Sequence, residues 1–116
     1  MRWCRFQAGG KTSYGIVEGD DVVQVSGSPF GRHRRTGTRL PLSSVKLLVP
    51  VVPVTFYAAG INYMDHILGM AAITGRQGTP PASANIGYRA NNALIAHEEP
   101  IIVPADASER IQYEGE

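Results

Sequence analysis

Two glutamates near the end of the chain, Glu114 and Glu116, have the residue type and spacing that could bind a metal ion. The segment that contains them, residues 111–116, includes Ile and Tyr and is predicted to form a β-strand. Because side chains alternate between the faces of a strand, the two carboxylates point the same way, with their Cα atoms about 6.5 Å apart. A hard divalent cation (Mg²⁺, Mn²⁺ or Ca²⁺) would relieve their mutual repulsion. The alternative is a solvated strand face on which neither glutamate does chemistry.

A second candidate for chemistry is His66, which lies in the first turn of a short helix predicted over residues 64–72. The helix follows an apolar segment, residues 54–60, that is predicted to be a buried strand. Histidine transfers protons near neutral pH, so a histidine at a strand-to-helix turn is suited to act as a general base. The alternative is a histidine that caps the helix or makes a structural hydrogen bond.

The ends of this helix are predicted from neighbouring residues. Asn62 or Asp65 can cap its start, and Gly69 is expected to interrupt it. The segment after it, residues 74–85, is rich in Gly and Pro and is predicted to be a mobile loop. Such a loop beside a site could act as a lid.

The first 50 residues are predicted to form a small β domain and a linker. Residues 2–8, 12–17 and 22–25 are rich in strand-forming residues and are separated by Gly-containing turns, which predicts an antiparallel meander. Residues 40–50, LPLSSVKLLVP, are expected to be a packing linker from the family resemblance described below.

A basic run within residues 26–39, Gly31-Arg-His-Arg-Arg-Thr-Gly-Thr-Arg39, is predicted to be a solvated loop. It has no interleaved aromatic residues, so we do not expect it to bind nucleic acid.

Composition restricts the class of protein. The net charge is +1, which gives no reason to expect a polyanionic partner. One cysteine, Cys4, rules out an internal disulfide framework and is predicted to be a small strand residue. The chain has neither the apolar core of a signal peptide at its start nor an uninterrupted apolar run of about 20 residues. We therefore expect a cytoplasmic protein without a membrane partner.

Two motifs in the chain resemble the fumarylacetoacetate hydrolase family. Residues 100–116, PIIVPADASERIQYEGE, are similar to the family pattern P-I-x-x-P…(D/Q)-Y-E-x-E, and residues 60–66, GINYMDH, are similar to G-x-N-Y-x-x-H. The two motifs occur in the family's order and at a similar separation. The resemblance implies a mainly β (α+β) fold, in which residues 1–50 form a small antiparallel sheet and linker. Residues 51–116 would then begin a mixed β-roll catalytic domain.

The resemblance also implies roles for six residues. Glu114 and Glu116 would be metal ligands, His66 the catalytic base, and Asn62, Tyr63 and Arg89 substrate contacts. Arg89 stands where many relatives have lysine, and an arginine fork suits a substrate carboxylate. Gly69 stands where many smaller members have a glutamate that polarises the histidine, so His66 would be a weaker base here.

The implied activity is that of a metal-dependent hydrolase or isomerase, with Mg²⁺ (or Mn²⁺ or Ca²⁺) as cofactor. Its substrate would be a 2-oxo acid of the acylpyruvate or β-diketo type, cleaved at a C–C bond or converted through an enolate. Alternatives are a hydratase or decarboxylase of the same family, or a truncated domain without catalysis. A homodimer is implied for the full-length protein. The family's third metal ligand would follow Glu116, so this chain alone is expected to be inactive.

Overall fold

The computed structural model describes residues 1–107. The predicted metal-binding strand, with Glu114 and Glu116, lies outside the described residues. The chain divides into two compact units. The first consists of Met1–Val52 and Leu94–Ile101, and the second consists of Pro53–Ala93 and the chain from Ile102 onward.

The first unit contains an antiparallel sheet. Its strands are β1 (Arg2–Ala8), β2 (Lys11–Glu18), β3 (Asp21–Gly27), β4 (His33–Pro41) and β5 (Lys46–Leu48). Their spatial order is β4-β3-β2-β1-β5, and β1 pairs with both β2 and β5. The predicted meander of the first three strands is confirmed, with Trp3 opposite Ile16 and Ile16 opposite Val23. Gly9 and Gly10 both have positive φ and make the tight turn between β1 and β2.

The prediction of a loop over residues 26–39 is wrong for most of that segment. β4 occupies His33–Pro41 and pairs with β3. Glu18 accepts ion pairs from Arg35 at 2.6 Å and from Arg39 at 2.8 Å, and Asp21 binds Arg39 at 2.9 Å. The hydrogen bond from Arg35 is the main reason that the pKa of Glu18 is lowered. Glu18 of β2 and Asp21 of β3 therefore supply the partners that allow this basic run to be extended.

A small buried cluster of the first unit lies on one face of the sheet. Cys4, Phe6 and Val22 form this cluster, and Phe6 and Val22 are 1% and 0% exposed. The partly buried hydrophobic residues packed against the cluster are Ala8, Val17, Leu40, Leu42, Val45 and Leu47. Four of these lie in residues 40–50, which confirms the packing role predicted for that segment. Burial raises the pKa of the Cys4 thiol, in agreement with a structural strand residue.

Residues Leu94–Ile101 belong to the first unit, although the sequence division assigns them to the region after residue 50. Ala96 is buried, and its backbone N–H donates to the Glu99 carboxylate at 2.9 Å. Glu99 also pairs with the Lys46 ammonium of β5 at 2.8 Å. The hydrogen bond from Lys46 is the main reason that the pKa of Glu99 is lowered. The Glu99 carboxylate thus makes one contact within the segment, at Ala96, and one contact with the sheet, at Lys46.

The second unit contains a two-stranded antiparallel sheet, formed by β6 (Phe56–Gly60) and β7 (Asn85–Arg89), and the helix α1 (Met64–Thr74). The predicted strand over residues 54–60 is present, but its predicted burial is wrong. Four of the five residues of β6 are only partly buried, and Tyr57 is 55% exposed. Among the described residues β6 has a single neighbouring strand, which leaves much of its surface uncovered.

The Asn91 side chain connects the two ends of the segment Pro53–Ala93. After β7 a short 3₁₀ helix spans Asn91–Ala93, and the Asn91 amide donates to the carbonyl oxygens of Pro53 and Val54 at 2.9 and 3.2 Å. A similar 3₁₀ helix, Leu42–Ser44, lies in the first unit. The fold is therefore mainly antiparallel β with one α-helix in residues 1–107. A mixed β-roll stays a prediction.

Helix α1 differs from the sequence prediction in two details. It continues through Gly69 to Thr74, since one glycine costs a helix only about 1 kcal/mol. Its N-cap position is held by Tyr63, rather than Asn62 or Asp65, because Tyr63 has extended backbone and accepts the hydrogen bond from the Ile67 N–H at 3.0 Å. Within residues 1–107, no helix is long and apolar enough to cross a membrane.

Candidate functional site

A cavity of about 510 Å³ lies within the second unit, a size typical of small-molecule sites. Helix α1, both strands and the loop after the helix contribute to its wall. Its polar lining includes His66, Arg76, Gln77, Asn85 and Arg89. Two residues predicted from the sequence, the catalytic candidate His66 and the substrate contact Arg89, are therefore brought together. Asn62 and Tyr63 precede α1 and are not among the described lining residues.

The first turn of α1 places His66 at this cavity. His66 is half-buried, and the next residue, Ile67, is the buried residue of the helix. Ile67 and Met70 lie one and four positions after His66 and supply apolar wall. The helix therefore presents an imidazole beside apolar side chains.

The connection into the helix is strained at Ile61. This residue has a φ of 56°, which is unusual for any residue except glycine and costs a β-branched side chain about 1–3 kcal/mol. Ile61 and Gly60 both line the cavity. The strain thus lies at the turn that carries the chain from β6 toward His66. Residue type gave no signal of it, since isoleucine is among the last residues expected at positive φ.

Strand β7 positions Arg89 by its alternation of side chains. Asn85, Gly87 and Arg89 share one face of the strand, and the first and last of these line the cavity. A Cβ at Gly87 would lie 2.9 Å from Arg89 Nη1, so the missing side chain leaves room for the guanidinium to lie back along the strand. Arg89 Nη1 donates to the Tyr88 carbonyl at 3.1 Å. Tyr88 lies on the opposite face and packs on Tyr57, with ring centroids 5.0 Å apart.

Sequence reasoning missed Arg76, Gln77 and Asn85 as lining residues. Arg76 and Gln77 follow Gly75, which ends α1 in the left-handed conformation at φ 67° and donates its N–H to the Ala71 carbonyl at 2.9 Å. Three residues after Gly75, Gly78 lies so close to the helix that a Cβ there would be 2.9 Å from Leu68 Cδ2. The loop therefore bends back onto α1. Its two glycines, three positions apart, are the signal that could have shown this.

The described wall of the cavity is positively charged. Arg76 and Arg89 carry full charges, and none of the described lining residues is acidic. Within residues 1–107, no group of three or more His, Cys, Asp or Glu side chains is placed to hold a metal ion. The predicted ligands Glu114 and Glu116 lie outside this range, so the metal centre stays a prediction. The described part of the site is suited to an anion.

Gly69 lies on α1 in the place where the resemblance expects a glutamate, and replacing it with alanine should stabilise the protein. A Cβ at Gly69 would meet no atom within 4 Å. We expect Gly69→Ala to raise the free energy of unfolding by up to about 1 kcal/mol, because alanine loses less backbone entropy in a helix. Urea unfolding followed by circular dichroism at the helix band would measure it. Gly75→Ala is the control and should destabilise, since Gly75 has positive φ. A loss of stability in Gly69→Ala would contradict open space at this position.

Residues 1–50 match the family model described as Rv2993c-like, N-terminal. The chain is 38% identical over 93 residues, 80% of its length, to the protein Rv2993c of Mycobacterium tuberculosis. It is 34% identical over 114 residues, 97% of its length, to an uncharacterised protein of Archaeoglobus fulgidus. The chain spans only 32% and 38% of the lengths of these two relatives.

Solved structures with the same fold include named enzymes. An uncharacterised protein from Mycobacterium abscessus has a TM-score of 0.73 and 33% identity, covering 94% of this chain and 41% of that one. The 5-carboxymethyl-2-hydroxymuconate delta-isomerase from Mycobacterium smegmatis has a TM-score of 0.74 and 30% identity. The match covers 92% of this chain and 40% of the isomerase. The 2-hydroxyhepta-2,4-diene-1,7-dioate isomerase from Mycobacterium marinum has a TM-score of 0.62, 24% identity and coverage of 82% and 34%, and shows the fold alone.

Proposed function

We propose that this chain supplies part of the active site of a metal-dependent isomerase or hydrolase of the fumarylacetoacetate hydrolase family. The substrate would be a small 2-oxo acid or its enol. The observation that carries the proposal is the convergence of His66 and Arg89 on one cavity. The likeness to the Mycobacterium smegmatis isomerase, at 30% identity and a TM-score of 0.74, supports it. The GINYMDH and QYEGE motifs support it independently.

In this proposal the roles of the described residues follow from their chemistry. The Arg89 guanidinium would hold a substrate carboxylate through two parallel hydrogen bonds. His66 would remove a proton from the carbon beside the keto group, or from water, and return it elsewhere. Ile67 and Met70 would restrict water around the reacting carbon. Mg²⁺, held by Glu114 and Glu116, would supply polarisation of the keto group when bound.

A chimeric enzyme would test the proposal. Residues 1–116 would replace the matching segment of the Mycobacterium smegmatis isomerase, which provides the remainder of an active site and a known reaction as a positive control. We expect the folded chimera to isomerise that enzyme's substrate in the presence of Mg²⁺ or Mn²⁺. Glu114→Gln and Glu116→Gln should each raise the metal concentration needed for half-maximal activity by about tenfold or more, since loss of even an outer partner of a ligand costs about 10–100-fold.

The matched control for the chimera is Glu98→Gln, because the Glu98 side chain is 85% exposed and belongs to the first unit. This variant should leave the metal titration unchanged. A folded chimera without turnover would contradict the proposed function. Identical metal titrations in all variants would contradict the metal assignment.

A further inference from the structure

We propose that the turn between β3 and β4 is an anion site for a phosphate monoester group, bound by the guanidinium groups of Arg32 and Arg34. The site belongs to the first unit and is independent of the function proposed for the cavity beside α1. It is a depression of about 270 Å³, lined by Ser26, Gly27, Arg32, His33 and Arg34. A volume just below the usual range for organic ligands suits one ionic group rather than a whole organic molecule.

The geometry of the chain keeps the two arginines close together. Arg34 is the second residue of β4, and Arg32 immediately precedes the strand. Their Cα atoms are therefore at most about 7 Å apart, the length of two extended residues. Ser26 of β3 lies directly opposite Arg34, and its hydroxyl group donates to the Arg34 carbonyl oxygen at 3.2 Å. Two guanidinium groups at this spacing can both donate to the oxygens of one tetrahedral anion.

Two contacts of His33 hold the backbone between these arginines. The His33 ring lies edge-to-face on Trp3 of β1, with ring centroids 4.8 Å apart, although β1 and β4 are not neighbours in the sheet. Its Nδ1 atom lies 3.2 Å from the Gly31 carbonyl oxygen within the turn. Gly27 has a φ of 93°, and a Cβ there would overlap the Arg32 carbonyl oxygen, so the turn closes tightly onto the end of β3. The backbone of the site is therefore fixed without a ligand, which lowers the cost of binding.

Charge determines the class of ligand. Neither Arg32 nor Arg34 forms an ion pair with any residue in the described part of the chain. Arg35, in contrast, points to the opposite face of β4 from Arg34 and is paired with Glu18 at 2.6 Å. None of the described residues that line the depression is acidic. Two uncompensated positive charges match a phosphate monoester, which carries about −1.5 to −2 at pH 7, better than they match a monocarboxylate.

Titration of the 116-residue chain with inorganic phosphate, at constant ionic strength, would test the site. ¹H–¹⁵N spectra would follow the backbone amides of residues 26–34 and the Nε–H groups of the arginines. We expect saturable shifts in this turn with a dissociation constant of about 1 mM, the affinity that two hydrogen bonds to charged groups provide. Chloride at the same ionic strength should not produce them.

Variants then assign the binding to the two arginines. Arg32→Gln and Arg34→Gln should each weaken phosphate binding about tenfold, as loss of one charge-assisted contact implies, and Arg34→Lys should restore it only in part. Lys11→Gln is the matched control, because Lys11 is an exposed residue of β2 that does not line the depression and carries the same charge. Shifts that do not saturate, or equal effects of Arg34→Gln and Lys11→Gln, would overturn the site, since either result would show a response to general positive charge.

Two further probes distinguish the sources of the phosphate group. Glycerol 3-phosphate represents a small metabolite, and a peptide that contains phosphoserine represents a modified protein. Tighter binding of glycerol 3-phosphate would assign the site to a metabolite, and tighter binding of the peptide would assign it to a phosphorylated protein. Both results retain the site. Failure of both probes to displace inorganic phosphate would overturn the assignment of a phosphate monoester as the ligand.

Discussion

Replacing Phe6 with alanine is expected to unfold the first unit at 25 °C. Phe6 is 1% exposed and packs with Cys4 and Val22 in the small core of the sheet. Truncation of a buried phenylalanine costs about 3–5 kcal/mol, because it removes buried apolar surface and leaves a cavity. A unit of this size has little more stability than that to lose. Far-UV circular dichroism and Trp3 fluorescence during urea unfolding would measure the loss.

A second phenylalanine in the chain provides the control for this experiment. Phe30 is 74% exposed, so Phe30→Ala should change the free energy of unfolding by less than about 0.5 kcal/mol. Equal unfolding midpoints in Phe6→Ala and Phe30→Ala would show that Phe6 does not support the core.

Replacing His66 with alanine should remove most of the activity of the chimeric enzyme. If His66 moves the proton, its loss should lower kcat by about 10²–10⁴-fold, the contribution of a general base. KM should change less, because in the proposed site Arg89 and the metal hold the substrate. Initial rates over a range of substrate concentrations would separate the two parameters, and saturating Mn²⁺ would keep metal binding from limiting the rate.

His97→Ala is the matched control for the base. The His97 side chain is 67% exposed and belongs to the first unit, so its removal should leave both parameters within about twofold. A loss of kcat below about threefold in His66→Ala would assign His66 to a structural role, since general bases contribute far more. A change in KM alone would make it a binding residue.

Much of the sheet could be predicted from local pattern, and the exceptions have physical causes. Strands β1 to β3 have β-branched and aromatic residues bounded by Gly-containing turns, which short-range propensities describe well. β4 was missed because its arginines disfavour a strand in isolation. Glu18 and Asp21, more than ten residues earlier in the chain, make that strand possible. A contact between distant residues has no local signature.

Part of the candidate site could be predicted through the family resemblance. The GINYMDH motif identified His66, and the place of Arg89 matches a family lysine; the structure places both side chains at one cavity, and their roles stay predictions. Arg76 was not identified as a lining residue, because its position at the cavity depends on backbone packing at Gly78. The positive φ of Ile61 was also missed, since tertiary structure imposes this conformation against the preference of the residue.

The order in which the chain visits its two units has a consequence for biosynthesis. The sequence of the first unit is interrupted after Val52 and continues only at Leu94. On a ribosome, which adds about 5–20 residues per second, the sheet of β1 to β5 therefore emerges several seconds before the segment that carries Ala96 and Glu99. During that interval Lys46 has no Glu99 to bind. The nascent sheet must wait for residues 53–93 of the second unit to be translated before its last contacts can form.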